Sequence, residues 1–414
     1  MNIIIHRGTK EIGGTCIELE SSKKKLLLDL GRPLSKDSVN IDLDRLNPDA
    51  ILISHPHQDH YGLIESMNPS VPVYIGRLSK NLIDATRIFL GTELLKNNFH
   101  LFEKDKSFTI GDVFTVKPYL VDHSSPEAFA FLIEAEGKRI FYSGDFRAHG
   151  NKLEVFEKII NNPPADIDVL FMEGTMIRRS NDDFSSEDAV KQKIIEIVKN
   201  QKNITFLISS SQNIDRLVST YHACQDASKI LVIDFYTAWV LEKMKAVSKK
   251  VPSMDKDGVK VYADNALRNA LDNNRDFFGD FRKNIWTHRV EKDEMHAEPS
   301  RYVCISKMSK YRIIDLYKGK NPVNVIYSQW LGYLKYTNDQ YYGAEEISSY
   351  QHDDDMVKFH YAHTSGHATV EDLQRFAAAL KPEKLIPIHT EYASEFNDYF
   401  ENVVVLGDGE KFNV

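Results

Sequence analysis

The sequence predicts an α/β fold in which a sheet-rich domain is interrupted by a second domain of alternating strands and helices. Short apolar runs bounded by glycine turns dominate the chain up to about residue 175, which is typical of a sheet-dominated domain. From Ser185 onward, strand and helix patterns alternate, as they do in a doubly wound parallel sheet. Histidine clusters occur on both sides of this alternating segment, so we expect the flanking parts of the chain to form one domain.

The first segment contains a series of predicted strands with few helices between them. Turns between the apolar, β-branched runs are marked by Gly31, Gly111, Gly144 and the pair Glu136-Gly137. The predicted strands are Ile3 to His6, Lys25 to Leu30, Ile51 to Ser54, Val71 to Ile75, Phe108 to Leu120, Phe129 to Ala135, Arg139 to Ser143 and Val169 to Met172.

The second segment begins with the stretch SSEDAVKQKIIEIVKN, which opens with a capping box and continues with apolar residues at helical spacing. Strand and helix patterns follow in the order ITFLISS, NIDRLVSTYHAC, KILVIDF and TAWVLEKMK, with the strands RYVCIS and VNVIYSQW near the end. Residues 252–300 give mixed signals and are not assigned. We therefore predict a flanking domain whose first part is 1–184, an inserted domain at 185–342, and a return of the flanking domain at 343–414.

The composition limits the classes of protein to which the chain can belong. Of its 414 residues, 42% are hydrophobic and 27% charged, and no apolar run approaches the ~20 residues that cross a membrane. The start of the chain lacks the features of a secretory signal, so we expect a cytoplasmic protein without membrane association. Three scattered cysteines argue against disulfides and thiolate metal ligands. The net charge of −8 argues against a protein that coats nucleic acid, but a nuclease stays open because bound metal ions supply positive charge locally.

The stretch SHPHQDHYG, residues 54–62, has three histidines and one aspartate within six positions. It follows the apolar run ILIS and precedes a return to apolar residues, so we place it on a strand-to-helix loop, where active sites of α/β sheets lie. Several polar side chains at one strand end are costly to bury unless a cation gathers them. Because zinc and manganese prefer neutral imidazoles and carboxylates, the motif predicts a metal site.

Further candidates for this site lie later in the chain. His123 in YLVDHSS and Asp145 in FYSGDFRAHG each follow an apolar strand. A second histidine cluster, FHYAHTSGHAT, precedes an amphipathic helix opened by Thr369, and LIPIHTEY places His389 at a strand end.

The loop Ser365-Gly366-His367 precedes the N-terminus of that helix, whose free N–H groups favour an anion, and we predict that it contacts a phosphate. Two other residues are candidate substrate contacts: Ser210, in the serine run after the first strand of the insert, and Arg147, just after Asp145. An ordinary helix cap for the serines and a surface loop for the arginine are the alternatives.

The motifs of the first segment resemble, in their order, those of the metallo-β-lactamase superfamily: Asp29 in LLLDLG, the cluster at 55–60, His123 and Asp145. Three later motifs are similar to those of its β-CASP branch, which includes ribonuclease J and the mRNA 3′-end processing endonucleases: Glu173 in DVLFMEGT, His367 in TSGHAT and His389 in IPIHTE. The stretch NIDRL is also similar to ribonuclease J. The resemblance covers nearly the full chain and implies a metallo-β-lactamase αββα sandwich interrupted by a Rossmann-like β-CASP insert domain.

The resemblance also implies roles for individual residues. One metal ion would be held by His55, His57 and His123, a second by Asp59, His60 and His389, and Asp145 would bridge them. Two zinc or manganese ions can share a hydroxide and bind a phosphoryl group, and zinc is preferred. Because Asp59 would hold the second of these ions, it is also counted among the catalytic residues. His367, oriented by Glu173, would protonate the leaving oxygen, whereas the alternative is a buried pair that only docks the last helix. Asp29 would orient ligands without binding metal.

Two departures from the family pattern limit what the resemblance implies. Ribonuclease J usually has an aspartate where this chain has Glu173. The chain also stops shortly after His389, so we expect a short form without the C-terminal assembly domain. A homodimer stays open, but the resemblance does not imply one for a chain that lacks this domain.

The predicted function is that of a metal-dependent ribonuclease acting preferably on single-stranded RNA, as an endonuclease or a 5′-exonuclease. His389 favours RNA over DNA, because DNA-repair relatives have valine at this position. The alternatives are a DNA nuclease of the same branch, a small-molecule hydrolase acting on thioesters or lactones, and a non-catalytic RNA-binding relative.

Overall fold

The computed structural model describes residues 1–35, 38, 40–180, 184–263, 265–335, 341–352 and 355–414, with the side chains of 265 and 266 left aside. The chain forms two compact units. The first unit contains residues 1–84, 94–181 and 366–414, and the second contains residues 85–93 and 182–365.

The strands of the described residues are numbered along the chain. They are β1 (Asn2–Arg7), β2 (Cys16–Ser21), β3 (Lys24–Leu28), β4 (Ala50–Leu52), β5 (Pro72–Gly76), β6 (Asn98–Phe102), β7 (Phe108–Ile110), β8 (Phe114–Leu120), β9 (Phe129–Ala135), β10 (Lys138–Tyr142), β11 (Val169–Glu173), β12 (Thr205–Ile208), β13 (Ile230–Asp234), β14 (Val259–Tyr262), β15 (Arg289–Val290), β16 (Tyr302–Ser306), β17 (Val323–Tyr327), β18 (Val357–Tyr361), β19 (Lys384–Ile388) and β20 (Lys411–Asn413).

The α-helices are numbered in the same way. They are α1 (Gln58–Tyr61), α2 (Arg77–Phe89), α3 (Leu153–Asn161), α4 (Glu187–Lys199), α5 (Ile214–Asp226), α6 (Phe235–Met244), α7 (Asn265–Asn273), α8 (Arg275–Phe278), α9 (Phe281–Asn284), α10 (Lys292–Ala297), α11 (Arg312–Asp315), α12 (Ala344–Ser349) and α13 (Val370–Leu380).

The first unit consists of two facing sheets, with strand orders β20-β1-β2-β3-β4-β5-β6 and β19-β11-β10-β9-β8-β7. Buried apolar side chains from both sheets, such as Ile5 and Phe131, form the core between them. On the outer face of the first sheet, Tyr61 of α1 belongs to a second apolar cluster. Phe156 of α3 and Phe376 of α13 pack on the outer face of the second sheet. The predicted αββα sandwich is therefore confirmed.

Parallel pairing in both sheets determines where the functional residues lie. Strand β3 runs parallel to β4, and β11 runs parallel to both β10 and β19. The carboxyl ends of these strands lie at one edge of the sandwich, and the loops that follow them carry the candidate ligands.

The second unit contains one sheet with the order β15-β14-β13-β16-β12-β17-β18, in which every pair is parallel. Its first helix, α4, is capped by Ser186, whose side chain accepts a hydrogen bond from the Ala189 N–H at 3.2 Å. Strands alternate with helices, and interior residues such as Phe206 and Val325 are buried. This is the doubly wound insert that the sequence predicts.

The structural units divide the chain differently from the predicted boundary at 343. Residues 343–365, predicted to belong to the C-terminal return, lie in the second unit. Strand β18 pairs with β17, and Ile347 of α12 is buried with Val325 in the core of that unit. The other domain boundary predicted from the sequence, at 184/185, stays a prediction.

Two local differences from the sequence prediction lie in the first 161 residues. The strand predicted over Phe108 to Leu120 is divided into β7 and β8, because Gly111 adopts a left-handed backbone conformation with φ of 58°. Helix α2, helix α3 and strand β6 lie where few regular elements are predicted. In the described parts of the chain, no helix is long and apolar enough to cross a bilayer.

Candidate metal centre

The predicted ligands follow the carboxyl ends of four strands in the first unit. His55 follows β4, His57 is the N-cap residue of α1, and Asp59 and His60 lie on that short helix. The other members follow β8 (His123), β10 (Asp145) and β19 (His389), and Glu173 is the last residue of β11.

Two strand ends beside the centre turn sharply. Asp29, directly after β3, has a φ of 57°, and His389 has a φ of 51°. Non-glycine residues rarely adopt this left-handed conformation, and it persists where the surrounding structure imposes it, often at functional sites. Both residues are buried, and both make side-chain contacts within the centre.

A first histidine group consists of His55, His57 and His123. The Nδ1 atom of His57 lies 3.0 Å from Nε2 of His55 and 3.2 Å from Nε2 of His123. Three ring nitrogens therefore face one point, and their mutual distances allow a single ion to bind all three.

A second group consists of Asp59, His60 and His389. The Oδ2 atom of Asp59 lies 3.4 Å from Nε2 of His389 and 3.8 Å from Nε2 of His60. The two groups are the two ligand sets that the family resemblance implies.

Asp145 lies between the groups. Its Oδ2 atom is 3.8 Å from Nε2 of His55 and 3.1 Å from Nε2 of His60. The same oxygen is 3.9 Å from Nε2 of His123 and 3.8 Å from Nε2 of His389. One carboxylate thus reaches ring nitrogens of both groups, which is the geometry expected of a bridging ligand.

Hydrogen bonds on the far side of the rings indicate which nitrogens carry protons. The Ser54 hydroxyl donates to Asp29 at 2.7 Å and lies 3.1 Å from His55 Nδ1, so this Nδ1 must donate to the hydroxyl oxygen. Asp29 also accepts from Nδ1 of His60 at 2.7 Å. The Nε2 atoms of both rings then face the centre, where that of His55 has a free lone pair and that of His60 has one once a cation displaces its proton.

Two more rings, those of His123 and His389, follow the same rule. His123 Nδ1 lies 2.6 Å from the carbonyl oxygen of Gly366, which can only accept. The Thr175 hydroxyl donates to the His389 carbonyl at 3.3 Å and accepts from His389 Nδ1 at 2.9 Å. Each ring is thereby fixed in orientation with its Nε2 atom directed inward.

Burial keeps the first group neutral. Burial lowers the pKa of His57 to about 4, against the opposing charge of Asp59. Burial, together with neighbouring histidines, holds the pKa values of His55 and His123 well below 6.5. At neutral pH these rings have lone pairs available for a cation.

The carboxylates at the centre are ionised. Burial would raise the pKa of Asp145, but His389, His60 and His367 outweigh it and hold that pKa well below its usual range. The pKa of Asp59 is also lowered, because His60 and His389 outweigh its burial. Burial opposes a charge on His60, yet Asp145, Asp59 and Asp29 raise its pKa well above 6.5.

The residues fit a divalent cation. His57 Nδ1 has at most one proton, so it can make a good hydrogen bond to only one of the Nε2 atoms of His55 and His123. A cation between the three rings would give every lone pair a partner. The donors are nitrogen and oxygen atoms only, which suits zinc or manganese.

His367 and Glu173 form a pair at the edge of this centre. His367 Nδ1 lies 3.1 Å from Oε2 and 3.2 Å from Oε1 of Glu173. Burial alone would lower the pKa of His367, but the carboxylates of Glu173 and Asp145 raise it to about 9. The side chain of His367 is 20% exposed, whereas that of Glu173 is fully buried.

Glu173 is itself fixed by the backbone. Its carboxylate accepts hydrogen bonds from the N–H groups of Phe146 and Thr175, each at 3.2 Å, and from that of Ala368 at 3.4 Å. Because the carboxylate is held, the imidazole of His367 is held with it.

The structure corrects the prediction that Arg147 contacts substrate. Arg147 is completely buried, and its Nε atom lies 3.5 Å from the carboxylate of buried Asp122. The Arg147 N–H donates to the Asp122 carbonyl at 2.7 Å, and Lys152 lies 3.7 Å from the same carboxylate. The guanidinium therefore belongs to an internal ion-pair cluster and does not lie on a surface that a phosphate reaches.

The other predicted phosphate contacts have different surroundings. The Gly366 carbonyl orients His123, as described above, and lies in the first unit. Ser210, which is exposed, and Ser365 belong to the second unit, and their contact with substrate stays a prediction.

Three functional neighbours were missed from sequence: Tyr142, Ser54 and Thr175. The Tyr142 hydroxyl donates to Asp29 at 2.5 Å. Tyr142 is three positions before Asp145 and Thr175 two positions after Glu173, so proximity to the motifs was the available signal.

Two family models match parts of the chain. Residues 32–199 match a family model described as a beta-lactamase superfamily domain. Residues 356–406 match a model described as a Zn-dependent metallo-hydrolase RNA specificity domain. The two matches contain all seven predicted ligands, and Asp29, which was not predicted to bind metal, lies just before the first match.

The chain is also similar to curated proteins and to a solved structure. It is 24% identical to ribonuclease J of Mycoplasma pneumoniae, over 93% of this chain and 67% of the relative. It is 24% identical to ribonuclease J of Mycoplasma genitalium (97% and 72%) and to an RNase J-like protein of Methanocaldococcus jannaschii (93% and 91%). A crystal structure of a protein of unknown function from Enterococcus faecalis has the same fold, with a TM-score of 0.73, 19% identity and 99% coverage of both chains.

The family matches, the similarity over nearly the whole chain and the sandwich with its doubly wound insert lead to one assignment. The chain belongs to the metallo-β-lactamase superfamily of metal-dependent hydrolases, in the β-CASP branch with the ribonuclease J-like proteins.

Proposed function

We propose that this protein is a metal-dependent ribonuclease that hydrolyses phosphodiester bonds of single-stranded RNA. The observation that carries the proposal is the convergence of two ligand groups on Asp145 beside the pair formed by His367 and Glu173. The similarity to ribonuclease J and the match to an RNA specificity domain support RNA as the substrate class.

Two metal ions are proposed, zinc in preference to manganese. His55, His57 and His123 would hold one, and the second group, with Asp59, His60 and His389, would hold the other, with Asp145 shared. Such ions supply positive charge for a phosphate and activate water for attack.

The protein's own residues would protonate the leaving oxygen. His367, whose pKa is about 9, is protonated at neutral pH. Its Nδ1 faces Glu173, so its Nε2–H is the proton available to a leaving oxygen. Glu173 orients the ring and stabilises its charged form, and the partial exposure of His367 gives a substrate access to it.

The substrate is tested with the purified protein and labelled single-stranded RNA and DNA of the same sequence, with zinc or manganese added. RNA cleavage that depends on metal is the expected result. Cleavage of DNA alone, or thioester or lactone turnover with RNA left intact, would overturn the proposal. Products from RNA with a 5′-phosphate or a blocked 5′-end distinguish exonuclease from endonuclease action.

A further inference from the structure

Arg7, the last residue of β1, is a buried charge outside the two ligand groups. Its side chain is 1% exposed. The Nε atom donates to the carbonyl of Gly14 at 2.7 Å, and Nη2 donates to the carbonyl of Gly31 at 2.5 Å. One guanidinium therefore joins two separate loops, residues 13–15 and residues 29–32.

Both loops hold the backbone of α1, the helix that carries Asp59 and His60. The Thr15 N–H donates to the Asp59 carbonyl at 3.2 Å, and the Leu30 N–H donates to the His60 carbonyl at 2.8 Å. A further bond joins the loops themselves, from the Gly31 N–H to the Thr15 carbonyl at 3.0 Å. The position of the ligand helix thus depends on the two loops that Arg7 connects.

The loops leave no spare room around Asp59. A Cβ atom on Gly31 would lie 1.6 Å from the Asp59 carbonyl oxygen, and one on Gly13 would lie 2.9 Å from Asp59 Oδ2. A Cβ on Gly14 would lie 2.5 Å from Nε of Arg7. At such close contact, a shift of either loop is transmitted directly to the Asp59 carboxylate.

An arginine suits this position because its planar group offers several donors in fixed directions. A lysine ammonium can donate from one point only, and an apolar side chain would leave both carbonyls without these donors.

We propose that Arg7 is a positioning residue for the second metal position, acting through the loops at 13–15 and 29–32 on Asp59 and His60. The inference rests on the proposed assignment of that position. In the first group, His123 is held from another side, by the carbonyl of Gly366. His55 contacts Ser54, which is itself bound to Asp29 in the loop at 29–32, so Arg7 acts on the first position through one more side chain than on the second.

The test measures zinc stoichiometry and the two zinc affinities by chelator competition, for the wild type, Arg7→Lys and Arg7→Met. We expect both variants to bind the first zinc ion normally and the second about 10- to 100-fold more weakly, as for loss of other residues that orient ligands. Arg7→Lys should be the milder of the two. In a His123→Ala background, the zinc ion that remains should be the one weakened by Arg7→Lys.

Arg216→Lys is the matched control, since Arg216 is also fully buried and donates to the Ser328 carbonyl at 3.0 Å, but lies in the second unit. It should leave both zinc affinities unchanged. Circular dichroism establishes that each variant is folded. If Arg7→Met does not fold, Arg7→Gln, which keeps a side-chain amide donor in place of the guanidinium, should give the same selective loss.

Folded Arg7 variants with two wild-type zinc affinities would overturn the inference, and so would equal weakening of both zinc ions. Failure of the proposed function gives a different result. A wild-type protein that binds two zinc ions but leaves RNA intact contradicts the ribonuclease and leaves the Arg7 test valid, whereas a wild type that binds fewer than two contradicts the metal assignment itself.

Discussion

The Oε2 atom of Glu173 lies 3.1 Å from Nδ1 of His367, although the two residues are 194 positions apart in the chain. Neither residue belongs to the two proposed ligand groups. They contact each other more closely than His367 contacts Asp145, whose Oδ2 atom is 3.9 Å from Nδ1 of His367. In the proposed mechanism, this arrangement would separate proton delivery from metal binding.

The first prediction follows from that separation. His367→Ala should retain its metal and lose about 10²- to 10⁴-fold in the rate of RNA cleavage, because a proton donor is removed. His389→Ala should lose metal, with activity partly restored at high metal concentration. Metal analysis and single-turnover rates check both variants. If His367→Ala loses metal as His389→Ala does, His367 is a metal ligand and not a proton donor. The distances allow this alternative, since His367 forms a four-residue group with Asp145, Glu173 and His389.

The second prediction concerns pH. With a pKa of about 9, His367 loses its proton as the pH rises through that value, so the cleavage rate should fall on the alkaline side. Glu173→Gln removes the carboxylate that contributes most to raising this pKa, and the alkaline limb should therefore shift to lower pH, toward 6.5. Rate profiles of the two proteins between pH 5 and pH 10 measure the shift. An unchanged alkaline limb would contradict the role of His367.

The effects of the two residues should also be non-additive. If Glu173 acts through the imidazole, Glu173→Gln should add little to the defect of His367→Ala. Single-turnover rates of the four proteins in the cycle decide this, and simple addition of the two effects would mean that the residues act independently.

The third prediction concerns Asp29, which accepts from His60, Ser54 and Tyr142. Asp29→Asn weakens this network and should lower metal affinity by about 10- to 100-fold. Tyr142→Phe removes one donor to a buried carboxylate and should cost about 1–3 kcal/mol of unfolding free energy. Chelator competition and urea denaturation provide the two readings. Normal metal affinity in Asp29→Asn would show that His60 is oriented without it.

The fourth prediction concerns metal removal. Because the cation binds the folded protein, chelation should lower the melting temperature, and zinc should restore it. At a free zinc concentration ~100 times the dissociation constant, binding stabilises the fold by about 2.7 kcal/mol. Calorimetry with and without chelator measures the difference, and identical melting curves would argue against a preformed metal centre.

The fifth prediction follows from the buried position of Arg147. Arg147→Ala removes a buried cation from the carboxylate of Asp122, which keeps Lys152 at 3.7 Å, and should cost about 3 kcal/mol of stability. Arg178→Ala is the control, since Arg178 pairs with Glu395 at the surface and should change stability by about 0–1 kcal/mol. Urea denaturation and RNA binding are both measured. Unchanged stability with weakened RNA binding would restore Arg147 as a substrate contact.

Local patterns explain why much of the fold was predictable. The apolar run before His55 and the cap before α4 are local features, and both elements are found where the sequence predicts them. Helix α2 was missed although Leu78, Leu82 and Ile83 have helical spacing and are buried, so in that case the signal was present and overlooked.

Other features depend on contacts that no local pattern contains. Asp122 lies 25 positions before Arg147, and only the folded chain shows that they form an ion pair. The same is true of the hydrogen bond between Tyr142 and Asp29, which are 113 positions apart in the chain. Arg7 has no motif at all, because its importance comes from two glycine carbonyls that the turns bring together.

The pairing of β11 with β19 has a consequence for the order of assembly during synthesis. Glu173 lies opposite Ile388 in this pair, so the strand that delivers His389 is made only after the whole second unit has been translated. A nascent chain that ends at residue 365 has the three histidines of the first group and lacks both His367 and His389. The proposed RNA-cleaving centre is therefore completed last, and truncated translation products carry a histidine trio without the machinery for hydrolysis.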